Sequence, residues 1–215
     1  MIQLNANHVF YLLAAAQWTI ALSLLAFAGG ALVGLPVALM RVSKLAALRT
    51  AASGYIQLIQ GTPLLIVLFL SYYGLAIMGL KLAPIVAAGL ALTIYAAAFL
   101  GEIWRGCIEA VPRTQWEASD CLGLNRVQQY TYVVLPQAVR IAIPPTVGFM
   151  VQIVKNTSLA SVIGFVELAR AGQIVNNSTF EPFAIFCVVA AIYFALCYPL
   201  SLTARALERR AHAGR

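Results

Sequence analysis

Two groups of residues in this chain have types and spacing that could do chemistry, and the chemistry is binding. The first is Gln152, Asn156, Thr157 and Ser158, amide and hydroxyl groups set beside Lys155 at the end of an apolar run. Gln152 stands one helical turn before Asn156 and shares its face. Amide and ionisable groups at membrane depth are expensive and usually line a cavity. This set therefore offers donors and acceptors to a small polar solute, or else forms a polar contact between helices. The second group is Glu109 to Ala138, the longest polar island in the sequence. Thr114, with Glu117 three residues later, fits a capping box that opens a helix. Gly123 supplies a left-handed close about two turns on. Asn125 and Gln128 fit the cap of a second helix, which Pro136 is expected to stop by Val134 or Leu135. Trp116, Leu122, Leu124, Val127 and Tyr130 lay apolar surface between Arg113, Glu117, Asp120 and Arg126. Such an elbow suits a grip by another protein, or an amphipathic linker lying on a membrane.

Catalytic arrangements are missing from the sequence. No Gly-Lys pair exists, so no P-loop can cradle ATP. His8 and His212 sit at opposite ends, which removes H-E-x-x-H and serine–histidine chemistry, and there is no G-x-S-x-G. No metal set is expected. Cys107, Cys121, Cys187 and Cys197 show no C-x-x-C spacing and read as small packing residues.

The elements that must hold these groups are membrane spans. Hydrophobic residues are 62% and charged residues 10%, far from the balance of a soluble domain. The net charge of +7 collects in three places, Arg41 to Arg49, Arg105 to Arg140 and Arg205 to Arg215. That pattern suits cytoplasmic loops and lipid headgroups, and not nucleic acid. The start, Met1 to Asn7, lacks a basic region, so nothing reads as a cleaved signal. Charge-free stretches place five spans at about 12–40, 55–80, 84–103, 139–159 and 182–202, with the polar loop at about 112–136. The positive-inside rule puts the N-terminus outside and the C-terminus in the cytoplasm. The expected fold is an all-α membrane protein of one domain, residues 1–215.

Within the spans, Ala26, Gly30 and Gly34 recur every fourth residue, as do Gly89, Thr93, Ala97 and Gly101. Both stripes invite close approach of a helix. Thr62-Pro63 interrupts the second span, with Thr62 as a cap for the restarted helix, and is either a packing kink or a break beside a wet cavity. Glu102 and Arg105 are three apart and able to pair. Leu159–Gln173 fits a short helix carrying Glu167, which could pair with Lys155, and Asn176–Glu181 reads as an outer turn.

Four segments in order, QGTPLLIVLF at Gln60–Phe69, AAAFLGEIWRG at Ala96–Gly106, EASDCLGL at Glu117–Leu124 followed by VVLPQA, and KNTSLASVIGFVELARAGQ at Lys155–Gln173, resemble ABC importer permeases. They are most similar to the polar amino acid uptake branch. The likeness runs from about Val9 to the C-terminus. It implies a type I importer permease fold in a bacterial inner membrane, multi-pass, with the GTPLL segment near the translocation path. It further implies that Glu117, Ala118, Gly123 and Leu124 form a coupling helix seated in a groove of an ATP-binding subunit. Gln152, Asn156, Thr157 and Ser158 would then meet the ammonium and carboxylate of an amino acid. Relatives often carry Asp where this chain has Asn156, a departure that points to a neutral or acidic amino acid. The implied partners are a second permease, like or unlike, two ATP-binding subunits holding ATP and magnesium, and an extracytoplasmic solute-binding protein. This chain itself is expected to bind no cofactor and to work by alternating access. A stand-alone ion-coupled secondary transporter is the rival. It calls for charged residues in several spans, whereas one polar cluster lies at depth here.

Overall fold

The computed structural model describes residues 5–213. Met1 to Leu4, part of the uncharged start, and Gly214 with Arg215, the end of the basic tail, lie outside the described residues. The described chain runs α1 (Ala6–Arg41), α2 (Ala46–Gln60), α3 (Leu64–Ile77), α4 (Pro84–Glu109), α5 (Arg113–Cys121), α6 (Arg126–Ile163), α7 (Leu168–Thr179) and α8 (Pro182–Ala213), without a strand among the described residues. Helices α1, α4, α6 and α8 are long and apolar enough to cross a bilayer. Helices α2 and α3, bent by 100° at their break, are together apolar and long enough to make a fifth crossing if they act as one span.

Local chemistry explains where these helices begin and end, and corrects several expected boundaries. Helix α1 starts earlier than expected because Asn5 caps it. The Asn5 Oδ1 accepts from the His8 backbone at 3.1 Å, and His8 Nδ1 accepts from the Asn5 backbone at 3.3 Å. At the α2–α3 break Thr62 is not the cap. Its hydroxyl donates back to the Leu58 carbonyl at 2.7 Å, and Pro63 takes the cap position. Helix α4 opens on Pro84, whose missing N–H would be unsatisfied there anyway.

The largest correction concerns Pro136, which does not stop a helix. The second limb of the elbow runs unbroken into the span as α6, so the helix that carries this crossing begins at Arg126, ahead of the expected span at about 139. A wide π turn at Gln129–Val134 sits just before the proline. It shifts the hydrogen-bond register where a proline would otherwise clash with the preceding turn. Pro144 and Pro145 likewise lie inside the helix. At its far end α6 tightens into a 3₁₀ turn, Thr157–Ile163, closed by Gly164 at φ 85°. The expected short helix therefore starts later, at Leu168, and runs through Asn176 to Thr179, where an outer turn was expected.

Both small-residue stripes are used, and they face each other inside this chain. A Cβ added at Gly30 would stand 2.4 Å from that of Ala96, and one at Gly34 3.1 Å from the Ala97 carbonyl oxygen. Across the same seam Gly89 meets Leu25 and Gly101 meets Val37. Ala87, Ala88, Ala91, Ala96, Ala97 and Ala98 are fully buried on α4. Backbones that touch this closely gain dispersion contacts that lipid tails cannot supply. Helices α3 and α6 complete the main core through Leu68, Phe149 and Ile153. Trp104 Nε1 also donates to Thr146 Oγ1 at 2.9 Å, tying α4 to α6. A second core joins α1, α7 and α8 through Leu12, Leu168 and Ile185.

Glu102 and Arg105 pair as their spacing predicts, at 2.6 Å, and Arg105 also reaches Glu109. Arg41 at the end of α1 approaches Glu102 at 3.6 Å, so the ion cluster spans two helices. Cys107 and Cys197 are buried as packing residues, whereas Cys121 and Cys187 are exposed, and all four are free.

Candidate functional site

The elbow is built from α5, a glycine turn and the start of α6. Helix α5 opens on Pro112, not on Thr114; the Gln115 N–H is taken by the Pro112 carbonyl at 2.9 Å. Thr114 thus lies inside the first turn and its expected capping box with Glu117 does not form. Glu117 instead pairs with Arg113 at 3.2 Å, on a face where both side chains are exposed. The close of α5 is as the sequence predicts. Gly123 sits at φ 71°, its N–H donates to the Asp120 carbonyl at 3.0 Å, and the Leu124 N–H donates to Ser119 at 3.2 Å. This is the paired bonding of a Schellman close. Asn125 and Gln128 then form the expected reciprocal cap at 3.0 and 2.9 Å.

Contacts between the limbs fix their angle. The Gln129 amide is buried and donates to the Asp120 carboxylate, while Arg126 donates to Gln129 Oε1 at 3.1 Å. The Trp116 and Tyr130 rings meet edge to face with centroids 5.1 Å apart. Gln137 Nε2 reaches Gln115 Oε1 at 3.2 Å. Beneath them Ile108, Val111, Val134 and Ala138 form a small buried core. Apolar groups stand outside among exposed charged ones such as Arg113, Glu117 and Arg126. Leu122 is 78% and Val127 75% exposed, with Ala118 and Gly123 exposed beside them and Leu124 half-buried. The Asp120–Gln129 latch has no signature in the sequence, since a polar pair nine residues apart fits a solvated face equally well.

The second group does not present one common face. Gln152 is exposed and donates to Asn156 Oδ1 at 3.2 Å, so these two do lie together. Thr157 is fully buried and its hydroxyl donates to the Val154 carbonyl at 2.8 Å. The half-buried Ser158 hydroxyl donates to Lys155 at 2.7 Å. The tightening of α6 into a 3₁₀ turn at Thr157 rotates successive side chains away from the α-helical stripe. A cavity of about 300 Å³ between α1, α6 and α8 is lined by apolar groups such as Phe27, Ile153 and Leu196, and by none of these four residues.

The expected pairing of Lys155 with Glu167 is absent; Lys155 is exposed and Glu167 is fully buried. The Glu167 carboxylate caps α7 by accepting from the Arg170 N–H at 3.0 Å, and also accepts from Tyr193 at 2.6 Å and Thr19 at 3.2 Å. Sequence reasoning missed Thr19 and Tyr193, because a threonine or tyrosine in an apolar span carries no signal of its own.

Comparisons with known proteins agree with this architecture. Residues 30–213 match the family of binding-protein-dependent transport system inner membrane components. The chain is 33% identical over 200 residues to the probable amino-acid ABC transporter permease YckA of Bacillus subtilis, covering 93% of this chain and 88% of that one. It is 35% identical over 192 residues to the probable glutamine ABC transporter permease GlnM of the same organism, covering 89% of each. A solved amino acid ABC transporter with histidines superposes at a TM-score of 0.91 and 33% identity, over 97% of this chain and 100% of that chain. With polar elbow, apolar crossings and family match in agreement, the chain belongs to the binding-protein-dependent transport system inner membrane components, as a multi-pass permease subunit of an ABC importer.

Proposed function

We propose that this chain forms the translocation path for a polar amino acid, driven by ATP hydrolysed on a separate subunit. The observation that carries the reading is the elbow: Ala118, Leu122 and Val127 stand in water on a polar scaffold whose two limbs are locked together. Exposed apolar groups on a rigid, otherwise charged element are the anchors of a protein interface. The partner is an ATP-binding subunit whose groove receives α5, with Glu117, Ala118, Gly123 and Leu124 on the contact. ATP and magnesium belong to that partner. Amino acids as substrate follow from the relatives, among them the glutamine and amino-acid permeases. The basic ends of α1 and α8, together with Arg113 and Arg126 on the elbow, support a cytoplasmic elbow and C-terminus and an outer N-terminus. A second permease and an extracytoplasmic solute-binding protein complete the assembly. Gln152 and Asn156 on one face, and Ser158 on the next turn, are the groups we assign to the passing solute, with the buried Thr157 between Asn156 and Ser158 in the chain.

The test is purification of tagged chain from its native membrane in gentle detergent. A co-purifying P-loop ATPase, together with ATP-dependent amino acid uptake in vesicles rebuilt with the solute-binding protein, is the expected result. A chain that purifies alone and takes up solute only with an ion gradient overturns the reading in favour of a secondary transporter.

A further inference from the structure

The break between α6 and α7 is a stretch of irregular backbone whose two ends, at Thr157 and Glu167, are buried and lie close to the same side chains. At its near end lies Thr157, fully buried, whose hydroxyl flanks that of Tyr193. Its far end is Glu167, fully buried, which accepts from Tyr193 at 2.6 Å and from Thr19 at 3.2 Å. Thr19 Oγ1 in turn accepts from the Leu168 N–H at 3.2 Å. Residues from α1, α7 and α8 therefore converge on one carboxylate, and Thr157 of α6 stands beside Tyr193. No lysine, arginine or histidine pairs with it among the described residues. A buried carboxylate without a cation is costly, and hydroxyl and backbone donors are what offset that cost here. Between these ends the chain makes its 3₁₀ turn and the left-handed turn at Gly164. Asn156 and Ser158 flank Thr157, so whatever fixes Thr157 fixes how those two are presented.

We propose that Thr19, Glu167 and Tyr193 are positioning residues: a buried hydrogen-bonded knot that holds the α6–α7 break, and with it the amide and hydroxyl groups at Asn156 and Ser158, in the orientation that passes solute. The role in transport rests on the function proposed above; the knot itself does not.

Two measurements on the full complex keep those parts separate. The first is hydrogen–deuterium exchange of the complex carrying Tyr193→Phe, Thr19→Val or Thr19→Ser. Loss of one buried hydrogen bond is expected to speed exchange over residues 157–168 roughly tenfold in the first two variants. Residues 84–109 should be unchanged, and Thr19→Ser, which keeps the hydroxyl, should exchange as wild type. Unchanged exchange in both Tyr193→Phe and Thr19→Val overturns the knot. The second is uptake from an equimolar amino-acid mixture into vesicles, counted per ATP hydrolysed. The same two variants should import severalfold less per ATP while hydrolysis stays within about twofold, and Thr19→Ser should restore the ratio. Faster exchange with an unaltered ratio overturns the positioning role, as does loss of uptake and hydrolysis in equal proportion. If the wild-type complex imports nothing from the mixture, the proposed function fails, and the exchange rates still decide whether the knot holds the break.

Discussion

Within this chain the demand on Gly123 is conformational. Its φ is 71°, yet no atom stands within 4 Å of where a Cβ would go. A side chain there would meet open space but a strained backbone, at a cost of about 1–2 kcal/mol. Gly123→Val should therefore unsettle the close of α5 and reduce co-purification of the ATP-binding subunit roughly tenfold, as about 1.4 kcal/mol implies. Gly123→Asn, which tolerates the left-handed region, should retain most of it. Leu122 and Val127 pose the opposite case, because they are exposed, take no part in the core and belong to the proposed contact. Changing either to Asp should leave thermal stability within about 0.5 kcal/mol, as for other surface sites, while capture of the ATP-binding subunit is lost. Wild-type capture by both Asp variants would remove the elbow as the docking surface. Gly123 and the Asn125–Gln128 cap were legible in the sequence because each rule is local. The Thr114–Glu117 cap was not, since Pro112 competes for the same helix start and wins by needing no N–H.

Among the helices, α1 and α4 depend on one another through missing side chains. A methyl added at Gly30 would lie 2.4 Å from the Ala96 methyl, which neither backbone can relieve without moving apart. Gly30→Ala should lower the melting temperature of the detergent-solubilised complex, with a loss of about 1–3 kcal/mol typical of overpacking. Adding Ala96→Gly should recover most of that loss, less about 1 kcal/mol for glycine within a helix. Equal melting of the single variant and wild type would show that the seam is looser than described. The two small-residue stripes were visible in sequence as repeats of four, but not that each was the other's partner. Spacing along one helix reports a face and says nothing of which neighbour meets it. Helix α6 shows the reverse failure. Local rules for Pro136 predicted a stop, and only the π turn just before it, a product of the whole elbow's packing, carries the helix through.

For the molecule as a whole, the proposed topology has a direct chemical readout. Cys121 is exposed on the elbow, outside the four long apolar helices. A membrane-impermeant thiol reagent should modify it in inside-out vesicles and spare it in right-side-out ones. Modification from the outer side would invert the orientation and with it the assignment of the ATP-binding partner. Composition alone reported a membrane protein with five crossings. It could not report that the second expected crossing is bent by 100° or that the fourth is continuous with the elbow.

The seam between α1 and α4 also has a mechanical consequence. Two helices in backbone contact cannot slide or shear easily, so they behave as one strut. The 26 residues of α4 give it a length of about 39 Å. The end of α4 nearest the elbow leads through a three-residue link into α5, and Arg41 meets Glu102 near that same end. A push that tilts the strut by about 10° displaces its far end by about 7 Å, more than one helical turn. In the proposed importer the glycines that let the two helices touch would provide leverage, a small stroke at the elbow becoming a larger displacement at the far end of α4.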